Sequence, residues 1–232
     1  STALEKAQLK VQRLIKKAIH EHKQEVTFTP MFPFAEGPRE YQKIAFENWK
    51  QNKQVGLFAM ATGTGKTITS LNCLLEVYNK TGYYKAIILV PTITLVNQWE
   101  NECKRFRFNN IIKVYSKRPK WKSDIESLHL QERIYGGEDK VSYVVIATYA
   151  SFAKDGAFDL LNSLSSRAMF IADEAHNMGS GGIRKKLPMI RYKRRIGLSA
   201  TPDRQYDDAG NNALLKFFGA EEKYTYEYSM KE

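Results

Sequence analysis

Short apolar runs, each followed by a stretch with helical periodicity, recur along this chain of 232 residues. Most of the runs are apolar throughout, which is typical of strands buried on both faces of a sheet. Strands that alternate with helices favour a parallel sheet covered on both sides. The sequence therefore predicts an α/β fold with a mostly parallel sheet sandwiched between helices. The predicted strands are Val55–Met60, Lys85–Val90, Tyr143–Ala147, Ala168–Ala172 and Arg195–Ser199, with a weaker one at Ile111–Tyr115.

Helical patterns fill the gaps between the predicted strands. Residues 3–23 form an amphipathic pattern, and a proline-spaced connector follows them. Another helix should begin at Ser123, because its spacing to Glu126 matches a capping box. The remaining predicted helices are residues 39–52, 66–80 and 94–105.

Composition excludes several classes of protein. Hydrophobic residues make up 43% of the chain, which is enough to form a core and excludes a disordered chain. No run approaches the roughly 20 apolar residues of a membrane span, and the first residues lack a signal-peptide pattern. Two cysteines suit a reducing, cytoplasmic location.

Positive charge is concentrated in two segments of the chain. The formal net charge is +11, and residues 104–122 and 184–195 hold basic residues without any acid. Clustered positive charge favours a polyanionic partner such as nucleic acid, and a solvated surface is the alternative. Residues 104–122 could lie along a duplex, whereas Lys193–Arg195 precede a strand and should lie at the end of the sheet remote from any site.

The segment directly after the first predicted strand has the strongest chemical signal. Residues 60–67 read Met-Ala-Thr-Gly-Thr-Gly-Lys-Thr. A bound triphosphate needs converging backbone N–H groups and glycines that let the chain approach, and here Lys66 adds a cation and Thr67 a hydroxyl for Mg²⁺. Met60 replaces the first glycine of the consensus, so we expect the chain to enter this loop from an extended conformation. The expected nucleotide contacts are Thr62, Gly63, Thr64, Gly65, Lys66 and Thr67.

Two carboxylates follow a second predicted strand. Asp173 and Glu174 come directly after the apolar run at residues 168–172. In a parallel sheet the carboxyl ends of the strands share one edge, where ligands bind. We expect Asp173 to hold Mg²⁺ and Glu174 to accept a proton from the attacking water. The carboxylates and residues 60–67, which we call the P-loop, should meet at the tips of adjacent strands. The alternative is an acidic N-cap of the next helix.

Taken together, these motifs resemble those of superfamily 2 helicases and translocases. Within that group the resemblance is to the DEAH-containing type of the type III restriction enzyme Res subunit and of DNA-repair helicases, over about residues 38–232. The matching segments are Pro38–Gln42 (Q-motif region), residues 60–67 (motif I), Val90–Thr92 with Leu95–Trp99 (motif Ia), Thr148 and Tyr149, Asp173–His176 (motif II) and Gly197–Pro202 (motif III).

The resemblance implies the first of two RecA-like halves of an ATP-driven motor. Residues 1–30 would be an N-terminal extension, 31–221 the ATP-binding domain, and 222–232 the start of a linker to the second half. The implied roles are adenine recognition by Arg39 and Gln42, coupling of the γ-phosphate to nucleic-acid grip by His176, Ser199 and Thr201, and nucleic-acid contact by Pro91, Thr92 and Thr148.

Each implied role has a structural alternative. Gln42 could be an exposed helix residue, Thr92 a helix N-cap, and Ser199–Thr201 a plain strand-to-turn sequence. Trp99 and Trp49 are expected to fill the core rather than to stack on a base.

Three functions remain open on these motifs. The first is a motor on double-stranded DNA whose whole protein also carries the second RecA-like domain and a nuclease or specificity module. The others are an RNA-remodelling helicase and a non-catalytic nucleotide-binding module. Because the second RecA-like domain supplies an arginine finger, we expect the chain by itself to bind ATP and Mg²⁺ weakly and to hydrolyse ATP poorly.

Overall fold

The computed structural model describes residues 2–25, 29–61, 63–134, 141–200, 208–221 and 224–228. Their strands form a seven-stranded sheet in the order β3-β4-β2-β5-β6-β1-β7. Every pairing in this sheet is parallel. The strands are β1 (Val55–Met60), β2 (Lys85–Val90), β3 (Ile111–Val114), β4 (Tyr143–Thr148), β5 (Met169–Ala172), β6 (Arg194–Ser199) and β7 (Tyr226–Tyr228).

Helices connect the strands and cover both faces of the sheet. Short 3-10 turns at Ala175–Gly179 and Leu187–Met189 follow β5. The α-helices are α1 (Ala3–Glu25), α2 (Glu40–Gln51), α3 (Lys66–Thr81), α4 (Ile93–Arg105), α5 (Trp121–Ile134), α6 (Tyr149–Phe152), α7 (Asp155–Asn162), α8 (Gly181–Arg184) and α9 (Asp208–Phe217). The predicted α/β class and the six predicted strands are confirmed.

The two faces of the sheet belong to separate hydrophobic cores. Along β2, Ile88 packs into a core with α2, α3 and α4, whereas its neighbours Ile87 and Leu89 pack into a core with α5, α6, α7 and α9. Successive side chains of a strand point to opposite faces, so a strand covered on both sides must be apolar at every position. This is why the strands have continuous rather than alternating apolar sequences.

Two local features of the structure were not predicted. Helix α5 begins at Trp121, and Ser123 lies inside it with its hydroxyl donating to the main-chain oxygen of Lys120. The capping-box prediction for Ser123 was therefore wrong, because its hydroxyl is used within the first turn. Strand β7, which pairs with β1, was not predicted. The expectation that residues 222–232 begin a linker stays a prediction.

Part of the second basic cluster has a structural role. The Arg195 guanidinium lies 4.0 Å from the centre of the Phe217 ring. It donates to the main-chain oxygens of Tyr192, Phe217 and Ile190. Because Arg195 is near the start of β6, it lies at the amino edge of the sheet, as its position in the sequence predicts.

Several other features limit the chemistry of the fold. Cys73 and Cys103 are fully buried, and burial raises the pKa of both thiols, so neither is a reactive nucleophile.

Among the described residues, no cluster of three or more metal-ligating His, Cys, Asp or Glu side chains occurs. Within the same described ranges, no helix has the length and apolar character needed to cross a membrane.

Candidate nucleotide-binding site

The loop between β1 and α3 forms an open anion-binding cradle. Gly63 and Gly65 both have left-handed backbone conformations, with φ of 81° and 78°. Gly65 is the N-cap of α3, and as a glycine it makes no side-chain cap hydrogen bond to the first turn of that helix. Among the described residues, the first N–H groups of α3 are therefore left for an anion at the positive end of the helix dipole. Met60 is the buried last residue of β1, so the chain enters the loop in an extended conformation, as expected.

Tyr41 holds the loop from the side of α2. Its hydroxyl donates to the main-chain oxygen of Thr64 at 2.9 Å. A Cβ atom at Gly65 would lie 3.0 Å from the same hydroxyl, a tight contact that adds to the preference of the positive φ for glycine. The Tyr41 ring stacks on Tyr228 of β7 with ring centres 4.6 Å apart. These contacts fix the loop relative to α2 and to the edge of the sheet.

A cavity of about 310 Å³ opens beside this loop. Arg39, Gln42 and the loop glycines line it together with Phe32 and Phe34. Gln42 is only 4% exposed, and its side-chain oxygen accepts from the main-chain N–H of Arg39 at 2.9 Å. The alternative that Gln42 is an ordinary exposed residue is thus wrong. The cavity has the size of a small-molecule site, and adenine recognition by Arg39 and Gln42 stays a prediction.

A larger cleft, about 910 Å³, lies between α2 and β7. Asn48, Asn52 and Tyr224 are among the residues that line it. It contains none of the predicted site residues, so we place the site at the smaller cavity, where the phosphate cradle lies.

Lys66 meets both carboxylates predicted to act with it. Its Nζ atom lies 2.8 Å from Glu174 Oε1 and 3.5 Å from Asp173 Oδ1. Burial by itself lowers the pKa of Lys66, but the hydrogen bonds and negative charges of Glu174 and Asp173 outweigh it and leave that pKa raised. Lys66 is therefore a permanent cation at physiological pH.

The strand order corrects one part of the prediction. The P-loop follows β1 and the carboxylates follow β5, but β6 lies between these strands, so their tips are not adjacent. The long side chain of Lys66 spans the gap. Ser199 is the last residue of β6 and is 3% exposed. Its strand lies between the strand that leads to the P-loop and the strand that leads to the carboxylates.

Asp173 is almost completely buried, with 3% exposure. Its Oδ1 accepts from the main-chain N–H of Glu174, and its Oδ2 accepts from Trp99 Nε1, both at 2.9 Å. Trp99 is buried as predicted, but its bond to Asp173 was missed, because spacing in the sequence carries no signal for a contact between residues so far apart. The carboxylate is thus oriented by two donors before any ligand binds.

Glu174 has an unusual main chain for a non-glycine residue. Its φ of 48° and ψ of 59° lie in the left-handed region. It occupies the N-cap position of the turn at Ala175–Gly179, but its side chain makes no capping hydrogen bond. Of the two readings of the acidic pair, the N-cap alternative is therefore not supported, and His176 lies close by, with Nδ1 3.7 Å from Glu174 Oε2.

The predicted nucleic-acid contacts lie at the same edge of the sheet. Thr92 and Thr148 are the N-caps of α4 and α6, and their hydroxyls accept from the main-chain N–H groups of Leu95 and Ser151. Thr92 thus fills the structural role that we considered for it, while it remains exposed. Pro91 is half-buried beside it.

Two predicted site residues lie outside the described part of the chain. They are Thr62 of the loop and Thr201 of the coupling segment. Their predicted roles stay predictions.

The residues that are described fit a magnesium-bound triphosphate. The cradle offers uncapped N–H groups and a cation, and Lys66 already contacts two anionic oxygens, which shows that it reaches an anion at this point. Asp173 and Thr67 provide oxygen ligands of the kind that Mg²⁺ prefers.

Comparison with known proteins agrees with this geometry. Residues 36–204 match the family described as type III restriction enzyme, res subunit. The chain belongs to this family. Membership implies use of ATP, and it confirms the resemblance to superfamily 2 helicases that the motifs predict.

Individual relatives extend the comparison. The DNA 3'-5' translocase XPB2 of Sulfurisphaera tokodaii is 28% identical over 178 residues, covering 76% of this chain and 33% of the relative. The chain thus spans about a third of the length of that relative.

Solved structures of known proteins share the fold. A nuclease-deletion mutant of the Type ISP restriction-modification enzyme LlaGI, in complex with a DNA substrate mimic, has a TM-score of 0.62 at 23% identity over 83% of this chain and 20% of that chain. The SWI2/SNF2 ATPase core of Sulfolobus solfataricus, in complex with double-stranded DNA, has a TM-score of 0.56 at 18% identity over 82% of this chain and 38% of that chain. The domain is accordingly RecA-like.

Proposed function

We propose that this chain is the ATP-binding motor domain of a superfamily 2 translocase that acts on double-stranded DNA, within a restriction or DNA-repair enzyme. The observation that carries the proposal is the meeting of Lys66 with Glu174 and Asp173 beside an uncapped helix N-terminus. The relatives named for DNA translocation and restriction supply the class of substrate.

The site suits hydrolysis of a nucleoside triphosphate. In the proposed mechanism the N–H groups of α3 and the Lys66 ammonium bind the phosphate oxygens, and Lys66 exchanges its bond to Glu174 for one to phosphate. The freed Glu174 carboxylate then accepts a proton from the water that attacks the γ-phosphorus, which releases ADP and phosphate. Lys66 therefore keeps the catalytic base occupied until a triphosphate binds.

Mg²⁺ fits beside this arrangement. Thr67 and Asp173 are the residues that would hold it, and a bound magnesium ion would neutralise charge on the phosphate oxygens.

The nucleic-acid path is proposed along the carboxyl edge of the outer strands. The tips of β2 and β4 end at Thr92 and Thr148, and the β3–α5 loop at residues 115–120 continues the row. Neighbouring strands lie about 4.8 Å apart, so this row extends about 10 Å from β2 to β3. A row of that kind, away from the nucleotide, suits the backbone of a duplex.

The basic cluster at residues 104–122 divides along this path. Several of its cations are neutralised internally: Lys104 and Lys113 pair with Glu100, and Arg118 pairs with Asp124. Within the described part of the chain, Lys117 and Lys120 of the loop form no ion pair. These loop lysines follow β3, the neighbour of β4 in the sheet, and we propose that they are the part of the cluster that contacts phosphates.

The deciding experiment compares ATP hydrolysis by the whole protein with duplex DNA, single-stranded DNA and RNA. We expect stimulation by duplex DNA, and none in a Glu174→Gln variant. Stimulation by RNA alone would favour an RNA-remodelling helicase. Binding of ATP without hydrolysis under every condition would favour a non-catalytic module.

A further inference from the structure

The Asp173 residue is held by hydrogen bonds from three neighbouring elements. Its N–H donates to the main-chain oxygen of Leu89 in β2 at 2.9 Å. Trp99 of α4 donates to its Oδ2 at 2.9 Å, and the Tyr149 hydroxyl of α6 donates to its main-chain oxygen at 2.7 Å. Trp99 is 1% exposed and Tyr149 is 6% exposed, so both bonds lie out of water, where they are strong.

Both donors come from helices that begin at the proposed nucleic-acid contacts. Helix α4 starts after its N-cap Thr92, and α6 starts after its N-cap Thr148. Trp99 lies seven residues after Thr92, about two helical turns, and therefore on the same side of α4. Each helix thus has one end at the edge of the sheet and a side chain on Asp173.

We propose that Trp99 and Tyr149 are positioning residues that orient Asp173 for magnesium, and that Trp99 also transmits displacement of α4 by bound nucleic acid to that ligand. The proposal rests on the proposed function. Both residues donate a hydrogen bond to Asp173, and we propose that each acts through it.

The orientation step follows from how the two oxygens of Asp173 are used. Oδ1 lies near Lys66 and accepts from Glu174 N–H, whereas Oδ2 is held by Trp99. Without the indole N–H, Oδ2 is a buried acceptor with one partner fewer, and the carboxylate can rotate about its Cβ–Cγ bond. Outer partners of a metal ligand typically contribute about 10- to 100-fold to metal affinity.

The transmission step treats α4, a helix of 13 residues, as a rigid unit. A phosphate that binds at the N-terminal end of α4 can displace that helix as a unit, and Trp99 then moves with it. Because coupling between two sites is reciprocal, nucleotide with magnesium bound at Asp173 should change the affinity for DNA by the same factor.

The first test measures the magnesium dependence of nucleotide binding by the full chain. A fluorescent non-hydrolysable ATP analogue is titrated with Mg²⁺ in wild type, Trp99→Phe and Tyr149→Phe. The matched controls are Trp49→Phe, which loses an indole bond to the Arg195 main-chain oxygen in the same core, and Tyr192→Phe, which loses a buried hydroxyl bond to Leu161.

We expect Trp99→Phe to raise the Mg²⁺ concentration for half-maximal binding by about tenfold, and Tyr149→Phe by less, since it acts through the main chain. The controls should lower thermal stability similarly without shifting the Mg²⁺ dependence. An unchanged Mg²⁺ dependence in both site variants would overturn the positioning role, and so would an equal shift in the controls. If the wild type does not bind the analogue with Mg²⁺ at all, it is the proposed function that fails.

The second test measures the affinity for the analogue with and without saturating duplex DNA at saturating Mg²⁺. In wild type we expect duplex DNA to change the affinity by about fivefold or more, the usual range of allosteric coupling. Trp99→Phe should bind both ligands but lose most of this effect. A full DNA effect in Trp99→Phe would contradict transmission through Trp99 and leave only the positioning role.

Discussion

At the scale of single residues, the main chain of Glu174 shows how the site is built. A non-glycine residue with a φ of 48° costs about 1 kcal/mol or more, and such conformations persist only where neighbours enforce them. Here Asn177 donates to the Glu174 main-chain oxygen from its main-chain N–H at 3.0 Å and its side-chain amide at 2.8 Å. In this conformation the Glu174 carboxylate contacts the Lys66 ammonium at 2.8 Å.

Glu174→Gln tests the role of this carboxylate. We expect ATP hydrolysis to fall at least about 100-fold, since the general base is lost. Binding of ATP should be unchanged or tighter, because Lys66 no longer has to leave a negative partner. Steady-state hydrolysis and nucleotide titration measure the two effects, and Lys66→Ala, which should lose binding as well, is the comparison. Equal losses of binding in both variants would contradict the exchange of partners by Lys66.

Gly65→Ala tests the shape of the phosphate cradle. Gly82→Ala is the matched control, because Gly82 has a similar φ of 83° but nothing within 4 Å of an added Cβ. Both variants should lose about 1–2 kcal/mol of unfolding free energy from left-handed strain. Only Gly65→Ala should also weaken nucleotide binding, since its Cβ meets the Tyr41 hydroxyl that holds the loop. Denaturant unfolding and nucleotide titration separate these effects, and equal binding by the two variants would contradict the role of Tyr41.

Single residues of the site were largely predictable from sequence, and their partners were not. That Lys66 meets Asp173 and Glu174 was predicted, because residue type and position after a strand are both visible in a sequence. The bonds from Trp99 and Tyr149 to Asp173 were not found, because they depend on which strands are neighbours. A buried tryptophan is an ordinary core residue unless its N–H partner is known.

At the scale of elements, the described side chains of α1 contact the domain in the second half of that helix. Residues 2–13 are exposed, and Leu4 and Leu9 are 68% and 51% exposed. Further along α1, Ala18 is buried and Lys17 pairs with Asp124 of α5 at 2.8 Å. Asp124 also pairs with Arg118 of the β3–α5 loop, so one carboxylate joins α1, α5 and that loop.

Asp124→Ala should loosen this junction. We expect a loss of about 1 kcal/mol of unfolding free energy, the usual size for a partly exposed ion-pair network. Trypsin should then cut within α1 faster than in the wild type. Asp159→Ala is the control, because Asp159 is an exposed helical acid without an ion pair among the described residues. If both variants are cut at the same rate, Asp124 does not hold α1.

Long helices and the apolar strands were predictable, whereas one-turn helices and the short edge strand β7 were not. Helices such as α3 carry enough turns to show periodicity, and Gly82 ends α3 as predicted. Helices α6 and α8 have four residues each, which is about one turn and too short for a pattern. Strand β7 has only three residues, which all pair with β1.

At the scale of the whole molecule, the order of the strands was not predictable from the sequence. Alternating strands and helices predict a parallel sheet, but many orders satisfy that pattern. Whether β6 separates β1 from β5 or lies elsewhere in the sheet depends on long-range packing. The expectation of adjacent strand tips failed for this reason, while the expectation of one shared edge held, because it follows from parallel strands alone.

The charge of that edge gives a prediction for DNA binding. Lys117→Glu with Lys120→Glu should weaken duplex binding and lower the slope of log affinity against log salt by about one for each DNA phosphate that a lysine no longer neutralises. Arg191→Glu with Lys193→Glu makes the same change in charge near the start of β6, at the opposite edge, and should have a much smaller effect. Fluorescence anisotropy across a salt series measures both. Equal weakening by the two double variants would indicate that net charge, rather than the β3–α5 loop, determines binding.

Because all seven strands run in one direction, the start of every strand lies away from the nucleotide and the proposed DNA path. Lys193 is exposed on that side, just before β6. A dye or a surface tether attached at residue 193 would lie on the side of the sheet opposite to the proposed nucleotide and DNA sites, and it should block neither of them.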